Sequence, residues 1–377
     1  VGQPHSVGVV GLGVILDAYL ATLADHPGVR IAAVADLDPD RARAVAERTG
    51  ARAVAVAELM ASDEVGTVLD LTTPGAHAEV ALAAAAHGKN HYGEKPLAAT
   101  LADAREVVGA TTAAGTVLGC APDTVLGTGI QTARAAVEAG RIGRPTAAVA
   151  TWLSPGHEAW HPQPDFYYAR GGGPVLDMGP YYLTSLVHLL GPVVAVSGAA
   201  SRLRDTRTIA TGPRAGAVID VEVPTHVAGT LVHANGAIST VTVSFDAVGT
   251  HARPIEVHGE EGSLAIPDPN RFDGDVELLA RGTRDWVTLE PSAGFVDASR
   301  GIGLLEMVEA AGLEAASSAS SASSDTPRAS GGVALHVMEI MTALLDSAET
   351  GRRIDLTTAP LVPPVVPLTP AERWRRG

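Results

Sequence analysis

Three groups of residues carry side chains and spacings that could do chemistry. The first is Tyr92-Gly93-Glu94-Lys95-Pro96, where a carboxylate, an ammonium and a proline stand together. Pro96 drives Lys95 toward extended geometry, and the Lys95 ammonium is expected to project into a cleft between a nucleotide-binding domain and a second domain. The second is Gly171-Gly172-Gly173-Pro174-Val175-Leu176-Asp177-Met178-Gly179-Pro180-Tyr181. Three glycines let backbone approach a ligand or pass under another element. Asp177 and Tyr181 stand four apart and share one face of a helix. They could handle the proton of a hydroxyl; equally, Asp177 could cap the helix and Tyr181 fill core, and Pro180 suggests that the helix proper starts there. The third is His157-Glu158-Ala159-Trp160-His161, which matches His-Glu-x-x-His. That pattern binds zinc only on a helix, where both imidazoles share a face. Pro155-Gly156 before it and Pro162 and Pro164 after it break any such helix, so no metal site is expected. An aromatic and imidazole-rich loop lining a polar pocket fits better, with a merely packed loop as the alternative.

The elements that must position these groups alternate. Ser6–Val10 reads as a buried strand, followed by Gly11-Leu12-Gly13-Val14-Ile15-Leu16 and an apolar helix. Gly11 and Gly13 supply the tight turn and the close backbone approach of a dinucleotide fingerprint, with Val14 and Ile15 completing the turn. Leu16 stands where the third glycine would be. A second strand ends at Asp36, near the offset of roughly 20 residues at which an acidic residue holds the adenosine ribose. Asp36 or Asp38 could instead cap the helix after Pro39. A carboxylate repels a 2′-phosphate, so NAD is favoured; Arg41 and Arg43 keep NADP open. Further strands end at Thr72-Thr73-Pro74 and at Glu94-Lys95, with alanine-rich helices between them. Alternation at this spacing predicts an α/β, doubly wound parallel sheet over residues 1–122. In such sheets ligands sit beyond the carboxyl ends of the strands.

Beyond residue 122 the pattern changes. Helices are expected over 125–139 and 175–190. The period then switches to two, with candidate strands at 146–153, 193–203, 227–234, 237–245, 255–258, 263–266, 276–279 and 286–289. Asn235-Gly236 between two of them is a hairpin signal. Residues 123–358 thus read as an α+β domain with a large, mostly antiparallel open sheet. A second copy of the chain could cover that sheet's free face. Residues 313–330 hold a Ser/Ala-rich stretch, expected to be a flexible loop. The segment 333–349 reads as a final helix, and the proline-rich 359–377 as a tail along the surface.

Composition bounds the function. The 377 residues carry 27 Lys+Arg against 42 Asp+Glu, a formal net charge of −15, which argues against nucleic-acid and anionic-membrane partners. A single cysteine, Cys120, rules out an internal disulfide and fits a reducing compartment. No leader pattern is visible, since residues 7–16 contain three glycines and no basic n-region. A cytoplasmic protein is expected.

Taken together, Gly11-Leu12-Gly13, Thr73-Pro74 with His77, Glu94-Lys95-Pro96 and Gly171-Gly172-Gly173 with Asp177-Met178-Gly179-Pro180-Tyr181 resemble the Gfo/Idh/MocA oxidoreductases. The resemblance spans nearly the whole chain apart from the Ser/Ala loop. Tyr181 stands where many members have histidine, as in the branch similar to glucose–fructose oxidoreductase. The resemblance implies an N-terminal Rossmann domain, a C-terminal domain whose sheet mediates a homodimer or homotetramer, and an NAD(P)-dependent dehydrogenase acting on CH–OH groups. It implies hydride transfer between nicotinamide and a sugar, sugar derivative or cyclitol, with Lys95, Asp177 and Tyr181 as catalytic residues. Gly11, Gly13, Val14, Ile15, Asp36, Thr72, Thr73, Pro74, His77, Glu94 and Lys95 would contact the cofactor. Lys95, Asp123, His157, Trp160, His161, Tyr167, Asp177 and Tyr181 would contact the substrate. Two alternatives use the same parts: a glycosidase that oxidises transiently and eliminates with NAD returned unchanged, and an NAD-binding regulator without turnover.

Overall fold

The first strand, β1 (His5–Val10), is buried on both faces at Val7, Val9 and Val10, as a central parallel strand must be. It is followed by α1 (Leu16–Leu23), β2 (Val29–Ala35), α2 (Pro39–Thr49), β3 (Arg52–Ala53), α3 (Val56–Ala61), β4 (Thr67–Asp70), α4 (His77–Ala86), β5 (Asn90–Gly93), α5 (Leu101–Ala114) and β6 (Leu118–Cys120). The six strands form one parallel sheet in the order β3-β2-β1-β4-β5-β6. The chain winds outward in opposite directions from β1 and β4, so the switch point of the topology lies between them. Local signals set the helix ends. Asp38 caps α2 through Asp40 N and Arg41 N, with Pro39 in its first turn. Thr100 caps α5 through Asp103 N, a bond worth about 1 kcal/mol.

The computed structural model describes residues 3–313 and 327–376. The core of the Ser/Ala-rich loop, 314–326, lies outside the described residues. The chain divides into two compact units, and the division is not contiguous. The first comprises 1–128, 293–335 and 363–377, the second 129–292 and 336–362.

In the second unit the order is α6 (Thr128–Glu138, whose first residue belongs to the first unit), β7 (Pro145–Leu153), α7 (Asp165–Tyr168), α8 (Pro174–Leu190), β8 (Val193–Ser201), β9 (Thr206–Thr208), β10 (Val218–Asp220), β11 (His226–His233), β12 (Ile238–Ser244), β13 (Ile255–Gly259), β14 (Gly262–Ile266), β15 (Val276–Ala280) and β16 (Val287–Leu289). Chain order continues with α9 (Ile302–Ala310), α10 (Gly331–Thr350), β17 (Ile354–Asp355) and α11 (Ala371–Trp374). Nine strands make one sheet, β16-β15-β14-β13-β7-β12-β11-β8-β17, in which β7 and β12 are parallel and the other pairs antiparallel. The Asn235-Gly236 turn joins β11 to β12, with Gly236 at φ +89° and Asn235 Oδ1 accepting from Ala237 N. The small β9–β10 hairpin had no clear alternation in sequence.

Several expectations are corrected. The helix expected over 125–139 starts later, because residues 123–126 form a separate 3-10 turn. Pro180 does not start a helix: α8 runs unbroken from Pro174 through it. The residues after 359 are tied down at several points along their length. Thr369 and Pro367 bridge to Phe295 and Ala293, and Trp374 is buried with its indole N–H on Val296 O. His26 Nε2 donates to the Trp374 carbonyl at 2.7 Å. Burying a side chain of this size stabilises by about 2–3 kcal/mol, enough to hold the terminus down. The described end of the serine-rich segment is anchored too: Arg328 pairs with Glu306, and Ser330 bridges to Gly119. Among the described residues, no helix is long and apolar enough to cross a membrane.

Candidate functional site

In the first unit a cleft of about 420 Å³ opens at the carboxyl ends of β1, β2 and β4, lined by Gly11, Leu12, Gly13, Asp36, Leu37, Arg41, Thr72, Thr73 and Glu79 among others. Gly11 has φ +85°, and a Cβ there would lie 2.7 Å from the backbone of Leu71 and Thr72; only glycine makes this turn. A Cβ on Gly13 would meet nothing within 4 Å, so that backbone faces open space, and Val14 beside it is fully exposed. Leu16, in place of a third glycine, is buried at the head of α1. Asp36 accepts from Leu12 N (2.8 Å) and Asp38 N (2.9 Å), which pins its carboxylate at the tip of β2. Each carboxylate oxygen keeps a second lone pair. Arg41 stands 3.6 Å from Asp36 and 4.0 Å from Asp38. Thr72 is fixed by its N and hydroxyl on Asp70 Oδ1 (2.9 and 2.6 Å). Burial would raise Asp70, but His91, then His77 and Thr72, hold its carboxyl below the ordinary range. A glycine cradle, an open backbone face and a carboxylate at the next strand end fit a dinucleotide.

Lys95 follows β5 and is half-buried, as are Glu94 and Pro96. Glu94 Oε1 accepts from Tyr19, and Oε2 from Lys95 N at 3.1 Å. Tyr19 had no sequence signal beyond its apolar setting. His77, expected on the cofactor, is buried, with Nδ1 2.7 Å from Pro96 O and Nε2 3.1 Å from Thr72 O. It ties the turn after β4 to the turn after β5 instead of facing the cleft. Asp123, expected to touch substrate, is completely buried. Its carboxylate accepts from Gly301 N (2.8 Å) and Gly303 N (3.3 Å) and lies 3.4 Å from Arg300. Burial raises its carboxyl, partly offset by Arg300. Asp123 therefore anchors the returning segment before α9 and has no face for a sugar.

In the second unit Asp177 and Tyr181 stand one turn apart on α8; Tyr181 is buried, and the Asp177 side chain is 15% exposed. Asp177 Oδ2 lies 2.7 Å from His157 Nε2. Residues 157–159 form a single 3-10 turn rather than a helix, so the His-Glu-x-x-His spacing does not align its imidazoles. Each member of the pattern has its own partner. His157 meets Asp177, Glu158 pairs with Arg207 at 2.8 Å and accepts from Tyr168, and His161 Nδ1 accepts from Gln163 N. Arg207, which no motif singled out, also pairs with Asp246. Trp160 is 57% exposed, and the rings of His157, Trp160, His161 and Tyr167 pack edge-on against one another.

Known proteins agree with this architecture. Residues 5–121 match the family profile described as an oxidoreductase family, NAD-binding Rossmann fold, and residues 130–265 the GFO/IDH/MocA C-terminal domain. The 1,5-anhydro-D-fructose reductase of Ensifer adhaerens is 34% identical over 55% of this chain and 58% of its own length. The levoglucosan dehydrogenase of Pseudarthrobacter phenanthrenivorans is 28% identical over 53% of this chain and 55% of its own. The chain thus spans a little over half the length of these curated relatives. Among solved structures, an NAD binding oxidoreductase from Klebsiella pneumoniae superposes with a TM-score of 0.79 at 22% identity, covering 94% of this chain and all of that one, a likeness of fold. With both of its domains matched in order, the chain belongs to the Gfo/Idh/MocA family of NAD-binding oxidoreductases.

Proposed function

We propose that this protein transfers a hydride between NAD and a hydroxyl-bearing carbon of a sugar, sugar derivative or cyclitol. The observation that carries this reading is the cleft beside Gly11, Gly13 and Asp36, in a chain whose relatives by sequence are named for sugar substrates. NAD supplies the hydride carrier when bound. Asp36 would take the ribose hydroxyls, and the backbone of Gly13, Val14 and Ile15 the pyrophosphate, with Thr72 and Thr73, which line the same cleft, and Pro74 after them also meeting the cofactor. Lys95, held by the Glu94 brace, would hydrogen-bond the reacting hydroxyl. Asp177 would accept from the substrate and orient it, and Tyr181 would exchange the hydroxyl proton. Trp160, His161 and Tyr167 would offer ring faces and edges to a polyol. Exposed Arg41 beside Asp36 leaves NADP a weaker second cofactor.

The same reading places a second copy of the chain on the nine-stranded sheet. Val149 (40% exposed), Ile238 (50% exposed), Thr230 and Thr240 are neighbours in register and share one face of it. A dimer or tetramer would bury that face. The single free cysteine, buried, suits a reducing, cytoplasmic setting.

A panel of sugars, anhydro sugars and cyclitols, followed by NADH absorbance with either cofactor, tests the reaction. Turnover on at least one member that Lys95→Ala abolishes supports it. Cleavage of glycosides without net NADH would replace it with the eliminating glycosidase, and no reaction across the panel with NAD bound would replace it with a regulator.

A further inference from the structure

We infer that His157 is a positioning residue that acts through Asp177, and that Trp160 selects the tautomer in which it works. The indole nitrogen of Trp160 lies 3.2 Å from His157 Nδ1. An indole N–H only donates, so Nδ1 must be the bare, accepting nitrogen. The ring proton then sits on Nε2, 2.7 Å from Asp177 Oδ2, and is donated to the carboxylate. That bond fixes the orientation of the Asp177 carboxylate on α8. A hydrogen bond donated to the carboxylate favours its ionised form, so His157 keeps Asp177 a hydrogen-bond acceptor for the substrate.

The surroundings hold the imidazole in this pose. The ring is buried, with centroids of Tyr167 at 4.1 Å, Phe245 at 4.7 Å, Trp160 at 5.1 Å and Trp152 at 6.0 Å. Its backbone N donates to the Tyr168 hydroxyl at 3.1 Å, which donates in turn to Glu158. Burial, then Glu158, pushes the Tyr168 phenol up, so that link stays a neutral donor. Gly156, at φ +106°, has no room for a Cβ against Glu158 and Tyr168. The ionisable groups around His157 are Asp177 on α8, with Tyr181 one turn further, Tyr167 and Tyr168 on α7, and His161 and Glu158 on its own loop. Arg207 neutralises Glu158 and Asp246 behind them. Protonating Nδ1 as well would set two donors, imidazolium and indole, against each other. The His-Glu-x-x-His stretch is thus a staple: its first residue reaches α8, its second fastens the loop to Arg207.

This assignment rests on the reaction proposed above, so its test includes an arm that needs no turnover. The full-length ¹⁵N-labelled chain with NAD added is examined by long-range proton–nitrogen correlation, the His157 ring being identified by its loss in His157→Gln. A protonated Nε2 and bare Nδ1, with that bias lost in Trp160→Phe, support the assignment; an Nδ1–H tautomer overturns it. The second arm measures kcat and KM against pH. His157→Gln, whose amide can still donate to Asp177, is expected within about fivefold of the parent kcat. His157→Phe is expected to lose kcat on the order of 10- to 100-fold, with KM little changed and the acid limb moved to higher pH. Equal losses in both variants, or a change in KM alone, overturn the positioning role. If the parent chain turns over no sugar, the reaction reading fails while the tautomer still decides the His157–Asp177 bond.

Discussion

The hydroxyl of Tyr19 donates a 2.8 Å hydrogen bond to Glu94 Oε1, joining the first helix of the nucleotide fold to the residue before Lys95. Burial, with Glu94 and Asp123 adding to it, pushes the Tyr19 phenol well above its ordinary value, so it remains a donor. Tyr19→Phe leaves a half-buried carboxylate oxygen short of a partner. The expected cost is about 1–3 kcal/mol of stability, read by urea denaturation, together with a lower kcat and a nearly unchanged affinity for NADH.

On the proposed reading, Asp36 sets the choice of cofactor. NADH is expected to bind more tightly than NADPH in fluorescence titration. Asp36→Ala should weaken NADH by about tenfold or more, roughly 1.4 kcal/mol, and narrow the preference. Removing the carboxylate frees Arg41 for a 2′-phosphate. Equal binding of both cofactors by the parent chain would contradict this assignment.

Arg207 neutralises two carboxylates in the interior, Glu158 and Asp246, and also donates to the Phe245 carbonyl. Its side chain is 1% exposed. Arg207→Met would leave both carboxylates unpaired at a cost of about 3–5 kcal/mol, measured by chemical denaturation. Because this network also holds the His157 loop, activity should fall with stability.

Acid stability should be governed by α10. Val193 N donates to His336 Nε2 at 3.0 Å, His336 Nδ1 faces Thr358 Oγ1 at 2.6 Å, and Thr358 donates to Glu339. Burial pushes His336 down to about 4 from an ordinary 6.5. Burial opposes ionisation of Glu339, but hydrogen bonds from Thr357 and Thr358 outweigh it and bring the carboxyl down to about 2 from 4.5. Both values are depressed on folding, so both contributions are full above the unfolded values and are lost as pH falls. The melting temperature should therefore decline from pH 6.5 to about 4 through His336, and from 4.5 toward about 2 through Glu339. His336→Gln should flatten the first part of that decline and Glu339→Gln the second.

Much of this molecule could be read from local pattern. The Gly11 turn, the acidic end of β2, the Asp38 cap and the Asn235-Gly236 hairpin each depend on neighbours in the chain, and each stands where the residues implied. The parallel sheet followed from strand–helix alternation in the same way. What could not be read depends on contacts across long separations. The segments before and after α9 and the terminal α11 return to the first unit through Asp123 with Gly301, and through Trp374 with His26 and Val296. No periodicity announces such bonds. Pro180 misled because a helix that has already begun can carry a proline through it. His77 stood among the family-like motifs and Asp123 was implied only by the resemblance, yet the structure uses both to hold loops together. His157 pointed to a pocket, and only the Asp177 partner twenty positions on shows what it touches.

In the proposed reaction Lys95 acts on a substrate hydroxyl while Gly11, Gly13 and Asp36 hold the cofactor. The most direct measurement compares Lys95→Ala with the parent chain in two readouts: NADH binding by fluorescence titration, and turnover on an accepted sugar. Affinity for NADH is expected to stay within about threefold, and kcat to fall on the order of a thousandfold. Unchanged turnover by Lys95→Ala on that sugar would contradict it.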